Sequence, residues 1–123
     1  MGNAPTARDV KVFVPAKDFA VSRRFYAALG WRENWHHDGG LCEFELAAHR
    51  FFLQDFCAKD WAENFMIYVT VDDADAWYEH AKRVVEQFEG TRVSEPKDEP
   101  HGDRVTYVWD PSGVLLHFAQ PLG

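Results

Sequence analysis

One order of elements, strand, helix and three strands, runs twice along the 123 residues, and a chain built that way has few folds open to it. Val10–Val14 (VKVFV) is β-branched and aromatic and is stopped by Pro15, so it predicts a strand. Asp18 then stands where a helix cap belongs. Val21, Phe25, Ala28 and Leu29 follow at helical spacing, and Gly30 marks the stop. Trp31–His37 and Leu41–Leu46 flank the turn residues Asp38-Gly39-Gly40 as a hairpin, with Phe51–Phe56 as a third strand of the meander.

The second run opens after a polar connection, Cys57–Asn64, that carries Trp61. Phe65–Val71 predicts a strand and Asp72 or Asp73 a cap. Ala74, Trp77, Tyr78, Ala81, Val84, Val85 and Phe88 then form one apolar stripe ending at Gly90. Thr91–Ser94 reads as a short strand and Glu95–Asp103 as a charged loop. Arg104–Trp109 and Val114–Ala119 close the chain as a hairpin about Asp110-Pro-Ser-Gly113, where Pro presets one turn dihedral and Gly tolerates the next. The expectation is a single α+β domain over residues 1–123, made of βαβββ modules at 8–57 and 63–120. Each helix covers one face of its own sheet, and the two open faces together line a trough for a small ligand.

A net charge of −7 disfavours nucleic acid and anionic lipid as partners and favours a cationic ligand, and 15% aromatic residues exceed what a small core needs. No apolar run approaches the length of a membrane span, and no apolar leader opens the chain. Met1-Gly2-Asn3-Ala4-Pro5-Thr6 fits an acylation pattern, yet no polybasic second signal accompanies it. Cys42 and Cys57 lack redox or zinc spacing, which points to reduced thiols in the cytoplasm. Neither GxSxG, nor HExxH, nor a glycine-rich phosphate loop is present.

The element order, the segment Val14-Pro-Ala-Lys-Asp-Phe-Ala-Val-Ser-Arg-Arg-Phe-Tyr26, Val71-Asp-Asp73 and Asp110-Pro-Ser-Gly113 together resemble the vicinal oxygen chelate superfamily of glyoxalases, extradiol dioxygenases and bleomycin resistance proteins, over roughly residues 8 to 120. The likeness is greatest to the bleomycin resistance proteins. It implies a homodimer that sequesters a planar or cationic small molecule, with antibiotics as the nearest model, in an aromatic-lined trough. The alternative it carries is a metal-dependent glyoxalase-like lyase or isomerase, or a dioxygenase.

Metal-dependent members take four ligands from strand positions, and the register of the resemblance places these on Lys11, Gln54, Met66 and His117. Lys only donates and Met sulfur is a poor ligand for hard or borderline divalent ions, so the expectation is no metal, no cofactor and no catalytic residue. His36 and His37 alternate across a strand, His49 falls in a turn and His80 on the second helix. Only His101 and His117 remain as a pair, one short of a catalytic zinc site. Lys11 with His117 as an acid/base pair is the other catalytic alternative. The candidate ligand-binding residues are Phe13, Trp35, Gln54, Trp61, Met66, Tyr68, His101 and His117, while Phe52 and Trp109 are equally suited to filling a subunit interface.

Overall fold

The computed structural model describes residues 5–123, so Met1–Ala4 of the acylation pattern lie outside the described residues. Two sheets form. The first takes β1 (Phe13–Pro15), β2 (Arg32–His37), β3 (Leu41–Leu46) and β4 (His49–Gln54) in the order β1-β4-β3-β2, with β1 parallel to β4. The second takes β5 (Met66–Thr70), β6 (Arg92–Val93), β8 (Asp103–Trp109) and β9 (Leu115–Pro121) in the order β5-β9-β8-β6, with β7 (Lys97–Asp98) also paired to β8. The α+β fold of paired βαβββ units is therefore present.

Helix α1 (Phe19–Leu29) starts where Asp18 accepts the Val21 amide and ends at Gly30, whose φ of 129° suits glycine. Helix α3 (Ala74–Val85) is capped by Asp73 through the Ala76 amide. Both helices pack into one core. Phe25, Tyr26 and Leu29 of α1 meet Phe44, Phe51 and Leu53 of the first sheet, while Trp77 of α3 stacks on Phe118 of β9 at 4.4 Å. Trp31 reaches Phe118 at 6.1 Å between ring centres and joins the two halves. Each sheet thus turns one face to the shared core and leaves the other open.

Asp110 fastens the halves together. It is fully buried, and its Oδ1 accepts the Ser112 amide at 2.8 Å and the Val114 amide at 3.0 Å. Its Oδ2 accepts the hydroxyl of Tyr26, 84 residues away on α1, at 2.7 Å. These bonds hold the turn whose residues set the β8/β9 register.

Four local expectations need correction. The first strand begins at Phe13 rather than Val10, although the Phe52 amide still donates to the Val12 carbonyl. The meander's last strand runs His49–Gln54, so His49 is a strand residue. Its turn is tight because Ala47 and Ala48 both adopt positive φ, 52° and 65°, against the usual preference for Asn-Gly. The polar connection holds a short helix, α2 (Lys59–Glu63), and the charged loop contributes β7. Among the described residues no helix is long and apolar enough to cross a membrane.

Burial lifts the Asp110 carboxyl from 3.8 to about 6. A carboxyl that is raised on folding stabilises fully below its unfolded value, and that contribution is lost as pH rises through about 6. Asp110→Asn keeps an oxygen for the two amides and removes the charge. Between pH 4 and 7, urea unfolding should show the wild-type chain losing about 2 kcal/mol relative to this variant. Asp110→Ala, which strands Tyr26 and two amides, should cost about 3 to 5 kcal/mol at pH 4, and the gap should narrow toward pH 7 as the wild type loses its own contribution. Parallel pH profiles for wild type and Asp110→Asn would refute the assignment.

Candidate functional site

On the second sheet, strand alternation sends Ile67, Leu116, Phe118 and Val108 toward the core and Met66, Tyr68, His117, Tyr107 and Trp109 to the open face. Pairing across three strands then aligns Tyr68, His117 and Tyr107 in one row. The His117 ring lies 5.4 Å from that of Tyr68 and 5.0 Å from that of Tyr107, centre to centre. The next row is Met66, Leu115, Trp109 and Arg92, with the Arg92 guanidinium 3.8 Å over the Trp109 ring.

The loop before β8 runs past this face and turns at Gly102, whose φ is 103° and whose amide donates to the Glu99 carbonyl. The loop brings the Glu99 carboxylate, and the first residue of β8 brings that of Asp103. The Tyr68 hydroxyl donates to Asp103 Oδ2 at 2.5 Å and lies 3.0 Å from His101 Nε2, and the Tyr107 hydroxyl donates to Glu99 Oε2 at 2.5 Å. These bonds push both tyrosines up to about 12 and hold the Glu99 carboxyl below its ordinary range. Both phenols therefore stay protonated as donors, and neither is a base at neutral pH. Partial burial lowers the His117 imidazole, with Glu99 opposing the shift, which favours the neutral ring.

The first sheet's open face is built differently. Phe13, Phe52, Glu43 and Trp35 share a row, with Phe13 and Trp35 each against Phe52 at 5.2 and 5.8 Å. A bulge at Asn34 lets its amide reach Glu43 at 2.9 Å. Lys11 lies 2.7 Å from Asp9, 3.8 Å from Glu43 and 5.5 Å from the centre of the Phe52 ring. Its charge is therefore answered within the chain.

The structure thus groups Tyr68, His101 and His117 on one face, with Met66 in the adjacent row, and places Phe13, Trp35 and Gln54 on the other sheet. Trp61 joins neither group. It sits on α2 against Phe56 and Phe65, at 6.0 and 6.4 Å. Three residues of the second face, Glu99, Asp103 and Tyr107, were absent from the sequence reading. Tyr107 was within its reach, because a hairpin centred on Ser112 sets residue 107 opposite residue 117. Glu99 comes from the loop and carries no periodic signal, and Asp103 opens β8, which the sequence reading started at Arg104.

The four ligand positions do not fit a divalent ion. An ion-paired ammonium, an amide, a thioether and one imidazole supply a single strong donor, and they divide between the two sheets. Among the described residues, no three His, Cys, Asp or Glu side chains converge on a common point.

The family model described as the Glyoxalase/Bleomycin resistance protein/Dioxygenase superfamily matches residues 10–118. No curated protein matches the sequence. Among solved structures, the bleomycin-binding protein of Streptomyces verticillus complexed with copper(II)-bleomycin aligns with a TM-score of 0.75 at 20% identity, over 94% of this chain and 98% of that one. TnmS3, an antibiotic binding protein from Streptomyces sp. CB03234, gives 0.71 at 21%, over 96% and 99%. A lactoylglutathione lyase from Agrobacterium tumefaciens gives 0.71 at 16%, over 95% and 96%.

The second face makes a prediction of its own. In a pH titration followed by NMR, the His117 ring signals should show a midpoint below 6.5, because burial disfavours the imidazolium. A midpoint at or above that value would mean that the carboxylates outweigh burial.

Proposed function

The chain belongs to the glyoxalase/bleomycin resistance protein/dioxygenase superfamily, and on that premise we propose that it is a metal-independent binding protein that sequesters a small planar organic molecule, antibiotics being the nearest model. The observation that carries this reading is the row Tyr68–His117–Tyr107, which offers flat ring faces on a sheet surface while the chelating positions around it hold the wrong donors. Aromatic faces of this kind bind heteroaromatic rings by offset stacking, worth about 0.5 to 1.5 kcal/mol per good pair beyond the area buried. Similarity of fold to bleomycin-binding and antibiotic binding proteins supports the class of ligand.

The protein acts as a homodimer in the cytoplasm, its two thiols reduced. Phe13, Trp35, Met66 and Tyr68 are between 41% and 62% exposed, an apolar load that a lone chain leaves in water. Facing the first sheet of one copy with the second sheet of another covers these residues and walls a trough on both sides.

Two measurements test the reading. After exhaustive chelation, titration of tryptophan fluorescence with bleomycin and with planar aromatic antibiotics should give saturable binding that added Zn²⁺, Ni²⁺ or Mn²⁺ leaves unchanged. Tyr68→Ala should weaken it on the order of tenfold. Stoichiometric metal that is needed for binding or turnover would instead return the lyase or dioxygenase alternative. By analytical ultracentrifugation the protein should sediment as a dimer, and a monomer at micromolar concentration would remove the shared trough.

A further inference from the structure

The open face of the second sheet carries more than stacking surface. Resting on the reading that this face holds a ligand, we propose that the ligand presents a flat organic cation, an amidinium or guanidinium on an aromatic body, and that Glu99 and Asp103 select it.

The argument begins with the two carboxylates. Each is anchored through one oxygen to a tyrosine hydroxyl, Glu99 by Tyr107 and Asp103 by Tyr68. A carboxylate has about four acceptor directions, so one hydroxyl leaves each with capacity for a further N–H. The Glu99 and Asp103 side chains are 18% and 21% exposed, open enough to be reached and sheltered enough for charge to count. The basic groups nearby are open to water: His101 Nε2 stands 3.7 Å from Asp103 Oδ2 on a side chain 54% exposed. Lys97 stands 3.7 Å from Glu99 with a side chain 73% exposed, so that pair is screened by water.

The same face already shows how it treats a planar cation. Arg92 lies 3.8 Å over Trp109, one row from His117, with its guanidinium against the indole ring. A ligand amidinium over Tyr68 or Tyr107 would repeat that contact and, unlike Arg92, would have a carboxylate at its edge. Charge decides between ligands of equal shape. A neutral ring stacked here would strip water from Glu99 and Asp103 and give nothing back, and an anion would be repelled, so discrimination rests on the penalty to the wrong ligand as much as on the gain to the right one.

The test uses the whole protein at neutral pH and physiological salt, with two probes of similar outline: the dication 4′,6-diamidino-2-phenylindole and neutral 2-phenylindole. The dication should bind saturably and on the order of tenfold or more tighter than the neutral compound. Glu99→Gln with Asp103→Asn keeps an oxygen to accept each tyrosine hydroxyl and removes both charges. It should weaken the dication and, by lifting the desolvation penalty, tighten 2-phenylindole, so that the two probes bind alike. Asp98→Asn, which alters a carboxylate paired with Arg104 outside the row, should change neither. Equal binding of the two probes by the wild-type protein, or undiminished dication binding by the doubly substituted one, overturns this proposal while planar binding stands. Binding of neither probe overturns both.

Discussion

A buried carboxylate with three donors on it holds this fold in one piece. Asp110 is wrapped by two amides of its own turn and by the Tyr26 hydroxyl from the first helix, and it lies where the two sheets share a core. Burial of a charge is costly, and the raised carboxyl of Asp110 records that cost. What the arrangement yields is geometry. With the turn held, residues before and after Ser112 pair symmetrically, which sets Tyr107 opposite His117 and Val108 opposite Leu116. A slip of one residue would send His117 into the core and Phe118 into water. The chemistry of the open face and the packing behind it are therefore fixed by the same interaction.

The two open faces answer different demands although their topology is shared. On the first, polar groups satisfy one another: Lys11 with Asp9 and Glu43, Glu43 with Asn34, and Phe13 and Trp35 against Phe52. A surface so closed on itself suits packing against another apolar surface. On the second, the tyrosine hydroxyls turn toward the carboxylates of Glu99 and Asp103, and the rings flank a histidine whose neutral form burial favours. That surface keeps acceptors and ring faces for something else. Equal topology with unequal chemistry is what a fold permits, since sites are placed on folds rather than dictated by them.

How much of this was legible in the sequence depended on whether a signal was periodic. Asp18 and Asp73 announced both long helices because a cap must stand at a fixed offset from the first free amides. Asp110-Pro-Ser-Gly113 announced the closing hairpin, alternation put Met66 and Tyr68 on one face of their strand, and the family resemblance turned His117 toward the same side. Reading failed where tertiary context overruled local pattern. Val10–Val12 has strand composition but its regular ladder begins only at Phe13, and the hydrophobic weight of Phe51–Phe56 hid that the strand starts at His49 after a strained Ala-Ala turn. Trp61 was placed in a polar connection, which folds as the short helix α2 and sets its ring against Phe56 and Phe65. Glu99 was invisible because a loop delivers it, and a loop has no period to read, while Asp103 was missed because the strand starts one residue earlier than the sequence placed it.

On the proposed reading, the two carboxylates bear on what stands in place of a metal in such a fold. A chelated ion orients a ligand because its coordinating atoms are fixed before binding. Here the chelating positions hold Lys11, Gln54, Met66 and His117, so rigidity must come from elsewhere. Tyr68 and Tyr107 supply it. Each ring is gripped at its hydroxyl by a carboxylate and at its flank by His117, so its rotamer is set with no ligand present and little side-chain entropy is lost when one arrives. Charged acceptors make those grips stronger than neutral ones would be. A row of pinned aromatics would thus, on the proposed reading, have the site ready in advance without a metal, and such a row favours flat ligands, since only a flat body touches several fixed ring faces together.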